Sequence, residues 1–218
     1  MNRKQSFVAA IRPILDQTYP GACCSLSFAQ PHQLLIATQL AAQCTDARVN
    51  LVTPALFQRY PTVESFAKAD QTELEGYIRS TGFFRNKAKN IIGCCQMLLE
   101  RYDGIVPDTM EELLTLPGVG RKTANLILGD VFDQPSIVVD THCIRLSNRM
   151  GLTRQKDPAK IEAELKKIVP TDYQTRFCHI LVFHGRAYCK AQRPDCIGCP
   201  INELCPKRLT PKQAKTNL

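Results

Sequence analysis

Hydrophobic positions along the chain recur at helical spacing. Between residues 85 and 102, Ala88, Ile91, Ile92, Cys95 and Leu99 fall at i, i+3, i+4, i+7 and i+11, the signature of one buried helix face. Ala124, Ile127, Leu128 and Val131 repeat the stripe over 121–131. Ile161, Leu165 and Ile168 mark a further helix, on which Glu162 and Lys166 read as an exposed i,i+4 pair. Phe177, Ile180, Leu181, His184 and Tyr188 mark a last long one, with His184 expected to be buried and hydrogen-bonded. Strand alternation is confined to "SIVV" at 136–139, so the pattern predicts an all-α fold. The linkers are short and carry polar caps or prolines, as in "YPTVES", "DGIVPDT", "KDPAK" and "VPTDY". "FDQPS" at 132–136 is the best candidate for a crossing between domains.

Composition narrows this picture. A chain of 218 residues with 44% hydrophobic content suffices for one large domain or two small ones. The net charge of +8 points to a polyanionic partner, nucleic acid before membrane. Nothing resembles a membrane span, and Arg12, Pro13 and Asp16 interrupt the short apolar run of "MNRKQSFVAAIRPILDQ", so no signal peptide is expected. The chain reads as cytoplasmic, where its eleven cysteines are expected to stay reduced. The basic tail "KRLTPKQAKTNL" reads as frayed.

Two motifs carry chemistry. Cys189, Cys196, Cys199 and Cys205 read C-x6-C-x2-C-x5-C, four thiols within seventeen residues. The intervening "KAQRPD" and "PINEL" bury little, so metal binding explains the group better than packing does. Spacing alone leaves structural zinc and an iron–sulfur cluster both open. Most of the other seven cysteines read as small core residues.

The second motif is "LPGVGRKTAN", residues 116–125. Gly118, Val119 and Gly120 form a tight turn, and the glycines allow positive φ and close approach of backbone amides to a ligand. A helix starting near Gly120 points its unpaired N–H groups outward, a site for an anion such as a DNA phosphate. Helix starts usually carry acidic residues, yet Arg121 and Lys122 stand here. Arg121 suits an arriving phosphate. Lys122 beside it reads, from the residues alone, as a second contact to the phosphate backbone. Asp140, in "VVDTHCIRLSN", precedes a helix and suits its N-cap.

"LPGVGRKTAN", "VDTH" at 139–142 and the cysteine spacing, in this order, resemble the endonuclease III family, helix-hairpin-helix DNA glycosylases with an iron–sulfur cluster. The resemblance covers roughly residues 23–205. It implies two helical domains with a DNA groove between them. One is a six-helix barrel carrying the hairpin, residues 23–134. The other combines residues 1–22 with 135–218 and carries a [4Fe–4S] cluster on the four cysteines. It further implies a monomer acting on double-stranded DNA that contains damaged bases or abasic sites, associated with the nucleoid. Lys122 becomes the nucleophile, and Asp140 the carboxylate facing it, which stabilises charge on the sugar and assists proton removal. The cluster loop would bring Lys190 and Arg193 to phosphates.

Chemistry at a sugar C1′ requires the nucleotide to leave the stack, and something must fill the gap. The resemblance assigns this to Gln43 in "LAAQCTD" and to Phe83 in "STGFFRNK", a bulkier, altered wedge whose neighbour Thr81 stands where the enteric bacterial member has an aliphatic residue. The reaction implied is removal of oxidised or ring-damaged pyrimidines, followed by strand cleavage on the 3′ side. A monofunctional mispair glycosylase would not need Lys122, and a non-catalytic hairpin module would not need Lys122, Asp140 and the cysteines together.

Overall fold

The computed structural model describes residues 2–209; the tail from residue 210 lies outside the described residues. In chain order the α-helices are α1 (Arg3–Thr18), α2 (Pro31–Leu40), α3 (Asp46–Arg59), α4 (Val63–Ala67), α5 (Gln71–Ile78), α6 (Phe84–Tyr102), α7 (Met110–Leu113), α8 (Arg121–Asp130), α9 (Thr141–Arg149), α10 (Pro158–Lys166) and α11 (Gln174–Ala187). Short 3-10 turns occupy Arg79–Thr81 and Thr171–Tyr173. No strand occurs among the described residues, and 136–139 runs as irregular chain with Ile137, Val138 and Val139 buried. The fold is all-α.

Helix starts follow local chemistry. Asn2, Thr45, Thr62, Asp70, Thr109, Asp140 and Asp157 each accept a first-turn N–H on their side chains. Two helices that carry candidate DNA contacts depart from this: α6 starts on Phe83 and α8 on Gly120, neither with a side-chain cap.

The chain forms two compact units, Met1–Cys23 with Pro135–Leu218, and Cys24–Gln134. The second holds α2 to α8 around one apolar cluster that includes Leu34, Leu40, Leu56, Phe66, Leu74, Ile78, Ile91, Leu98, Leu113 and Ile127. Each such side chain removed from water contributes about 1.5–3 kcal/mol. The buried face of α6 runs through Ala88, Ile91, Cys94, Cys95 and Leu98, whereas Ile92 and Leu99 are only half-buried. The face is rotated slightly from the one the apolar spacing predicts, and α4 and α5 both pack against α6.

In the first unit polar contacts tie α1 to residues more than 150 positions away. Arg12 Nη2 meets Asp172 Oδ2 at 2.9 Å, and Arg176 Nε donates to Asp16 Oδ1 at 2.7 Å. Val8, Ile11 and Leu15 bury the apolar stripe of α1. The Glu162–Lys166 pair does form, at 2.9 Å, but Glu162 is only 3% exposed, so the expected surface pair is half-buried. Ile161 and Leu165 occupy the same face of α10 and draw Glu162 in with them.

Candidate functional site

Within Cys24–Gln134 the glycine hairpin joins α7 to α8. Gly118 takes φ +75°, and a Cβ there would lie 2.6 Å from Gln39 Oε1 and 2.9 Å from Asn90 Cβ. Internal crowding against α2 and α6 therefore demands glycine at 118. Gly120 differs. Its backbone is extended (φ −106°, ψ 175°), it caps α8, and nothing lies near the position of a Cβ. Only Gly118 uses the positive φ that the sequence suggested for both; Gly120 instead leaves the surface open for close approach. Val119 is the inward residue of the turn, 8% exposed, with its N–H donating to Leu116 O at 3.1 Å.

Helix α8 has no acidic residue in its first turn, so its amide dipoles face outward without a counter-charge from that turn. Arg121 and Lys122 are exposed there, while Ala124, Ile127 and Leu128 anchor the opposite face.

The two candidate gap-filling residues share an unusual backbone. Gln43 has φ 54° and Phe83 φ 49°, two of the five non-glycine residues with positive φ among those described. Phe83 is 64% exposed, which excludes a core aromatic at this position. Gln43 is exposed as well. Side chains held in left-handed backbone cost on the order of 1–3 kcal/mol and collect at functional loops.

In the other unit Asp140 caps α9, its Oδ1 accepting the Cys143 N–H at 2.7 Å. The far end of the same helix holds the cysteine loop. Arg149, 6% exposed, donates to Cys189 Sγ at 3.3 Å, Lys190 O at 2.7 Å and Ala191 O at 2.7 Å. Arg145 Nε donates to Cys189 O at 3.1 Å. Cys189, Cys196, Cys199 and Cys205, none in a disulfide, line one concavity with Arg149 and His184. His184 is buried, as its apolar stripe indicated. Tyr19 Oη sits 2.9 Å from its Nδ1, and its Nε2 lies 3.5 Å from Cys199 Sγ. Burial pushes the Cys199 thiol up to about 11 and raises Cys196 and Cys205 too. Lys190 and Arg193 project from this loop and are exposed.

Among the described residues no three His, Cys, Asp or Glu side chains are grouped closely enough to hold a single metal ion. The four cysteines nonetheless line one hollow, with a guanidinium and an imidazole directed at two of their sulfurs, a thiol set of the kind that a multi-iron cluster uses. Neither Arg149 nor Arg145 stands out in the sequence by residue type. Their i,i+4 spacing on α9 is the signal that points to them. Lys87 is equally inconspicuous. It is 5% exposed, and its place on the apolar stripe of α6, four residues before Ile91, is the clue. Lys122 and Asp140 belong to different units.

The glycine hairpin opening a basic helix, the aspartate-capped helix and the four-cysteine loop are the features on which the sequence resembles the helix-hairpin-helix DNA glycosylases, and comparison with known proteins bears on the same class. Residues 36–171 match the HhH-GPD superfamily base excision DNA repair protein family. Over 207 residues the chain is 53% identical to endonuclease III of Synechocystis sp., covering 94% of both chains. With endonuclease III of Bacillus subtilis it shares 46% over 192 residues, 88% of each. Among solved structures, a trapped endonuclease III–DNA covalent intermediate in an estranged-adenine complex matches with a TM-score of 0.88 and 42% identity, covering 99% of both chains. The chain belongs to the HhH-GPD superfamily, in its endonuclease III branch.

Proposed function

We propose that this protein is a bifunctional DNA glycosylase and abasic-site lyase that removes oxidised or ring-damaged pyrimidines from duplex DNA. The observation that carries the reading is an exposed lysine, Lys122, in the first turn of a helix that begins on a bare glycine hairpin and has no acidic counterpart there. The Lys122 amine forms a bond to C1′ as the bond from C1′ to the base breaks, the base leaving with the electron pair and taking up a proton. The C1′–O4′ bond then opens, O4′ leaving as a hydroxyl with the proton lost from the amine, and the nitrogen becomes an imine. Removal of a C2′ proton then expels the 3′ phosphate by β-elimination. Asp140 offsets the positive charge that grows on the sugar and serves as the proton acceptor. Its Oδ1 is held by the Cys143 N–H, which fixes the direction of the carboxylate.

Backbone amides of the hairpin and Arg121 bind the phosphate beside the target nucleotide. Gln43 and Phe83 occupy the space that the extruded base vacates. Cys189, Cys196, Cys199 and Cys205 would hold a [4Fe–4S] cluster. When bound, that cluster supplies structural order to the loop that presents Lys190 and Arg193 to the DNA backbone. The protein works in the cytoplasm, at the nucleoid. No helix of the described residues is long and apolar enough to cross a membrane.

The decisive experiment is borohydride trapping on a duplex with a single thymine glycol or a pre-formed abasic site. A covalent protein–DNA adduct, and cleavage leaving an unsaturated 3′ sugar, are expected. Base release with no adduct and no cleavage would assign the chain to a monofunctional mechanism instead.

A further inference from the structure

The mechanism gives no role to Lys87, yet it is an unusual residue. It is buried on the first turns of α6, and its Nζ donates to two backbone carbonyls, Leu40 O at 2.7 Å and Thr81 O at 2.8 Å. Leu40 ends α2, and Thr81 ends the 3-10 turn Arg79–Thr81. Carbonyls at helix ends lack intrahelical partners and carry the negative end of the dipole, so one ammonium satisfies two such ends at once. Burial lowers the Lys87 pKa, and these close acceptors offset the cost of keeping it charged.

Both carbonyls lie just upstream of a candidate gap-filling residue. Gln43 stands three residues beyond Leu40, and Phe83 two residues beyond Thr81, both exposed and both in left-handed backbone. The intervening chain is tightly turned: Cys44 N–H donates to Ala41 O at 3.1 Å, and Gly82 has φ +71°. The ammonium thus sits at the root of both loops. Lys87 also lies four residues from Phe83, whose carbonyl accepts the Lys87 N–H at 3.1 Å.

We propose that Lys87 is a positioning residue that fastens the Gln43 and Phe83 loops to one buried point, so that both side chains enter the DNA stack in a fixed relation. This rests on the reading of Gln43 and Phe83 as the gap-filling pair. The arrangement has a physical motive. A gap one base wide must be filled from two loops that lie far apart in sequence. A flexible pair would lose conformational entropy on insertion; a pair fixed beforehand loses less.

The test compares Lys87→Met, which keeps the stem and removes the donors, with Lys87→Gln, which keeps a two-proton donor. Hydrogen exchange in the DNA-free protein reads the fastening directly. Lys87→Met should raise exchange in 41–44 and 82–84 together, and Lys87→Gln should restore part of the protection. The ratio of affinities for a tetrahydrofuran abasic duplex and an intact duplex reads the consequence. Lys87→Met should lower it roughly tenfold, the scale of a lost charge-assisted hydrogen bond, and the signal of 2-aminopurine opposite the lesion should fall in step. Combining it with Gln43→Ala and Phe83→Ala should add little further loss, because the three would act as a unit. Faster exchange in only one loop, or in neither, overturns the proposal, as does an affinity ratio equal to wild type. If Gln43→Ala and Phe83→Ala themselves leave the ratio unchanged, the gap-filling reading falls, while the exchange measurement still judges the fastening.

Discussion

At the scale of single residues, the proposed mechanism rests on two side chains whose roles can be separated. Lys122→Gln keeps length and hydrogen bonding but has no nucleophilic amine. It should abolish trapping and strand cleavage on a pre-formed abasic site, while affinity for a tetrahydrofuran analogue stays within a few-fold of wild type. Trapping as efficient as wild type would mean that another amine is the nucleophile. Asp140→Asn preserves a good N-cap for α9, so the melting temperature should hold. Loss of one preorganised charge partner typically costs on the order of 10²–10³ in rate, so base release should slow by that factor. An unchanged release rate would reduce Asp140 to a capping residue. Lys122 stands out locally because cations stand where a helix start favours acids, whereas Asp140 follows the ordinary N-cap habit and is singled out by the resemblance of "VDTH". Lys87 is legible only in part: its place on the apolar stripe points to burial, but not to the Leu40 carbonyl, 47 residues away, that its ammonium shares with the nearby Thr81 carbonyl.

At the scale of elements, the hairpin separates two uses of glycine. Gly118→Ala puts a Cβ into Gln39 and Asn90 at positive φ, and should destabilise the fold by about 1–3 kcal/mol. Gly120→Ala meets open space in extended backbone, so stability should change by less than about 1 kcal/mol, with the loss falling on DNA affinity. Thermal melts and binding isotherms on the two variants decide this, and the reverse pattern would overturn the division of labour. Helix α9 makes a similar point. Its first residue is capped by the candidate catalytic aspartate, and its last, Arg149, holds three carbonyls and one sulfur of the cysteine loop.

At the scale of the whole molecule, a net charge of +8 predicts binding that weakens steeply with salt. If Arg121, Lys190 and Arg193 each neutralise one phosphate, replacing any one with Gln should flatten the slope of log K against log salt by about 0.9. Damaged and intact duplex should weaken alike, because phosphate contacts carry no sequence information. Slopes that stay at the wild-type value in all three variants would remove these residues from the interface. The metal group is checked on the same preparation. Protein purified without oxygen should be yellow-brown, contain iron and sulfide, and lose protection of residues 189–205 from proteolysis when the cluster is stripped by oxidant and chelator. Colourless protein with stoichiometric zinc would overturn the cluster.

The sequence by itself determined the helical class, the hairpin, the uncapped basic helix start and the four-cysteine loop. Each of these is encoded within a few consecutive residues, where spacing, capping and the missing Cβ of glycine act directly. Only the tertiary structure decided which face of α6 is buried, that Glu162 is drawn inward, that Phe83 stands in solvent while Val119 does not, and that Arg149 and His184 turn toward cysteine sulfurs. Those outcomes depend on which distant atoms arrive as neighbours. A stripe of apolar residues defines a face but not the partner that covers it, and a buried donor acquires its meaning from acceptors that lie dozens of residues away.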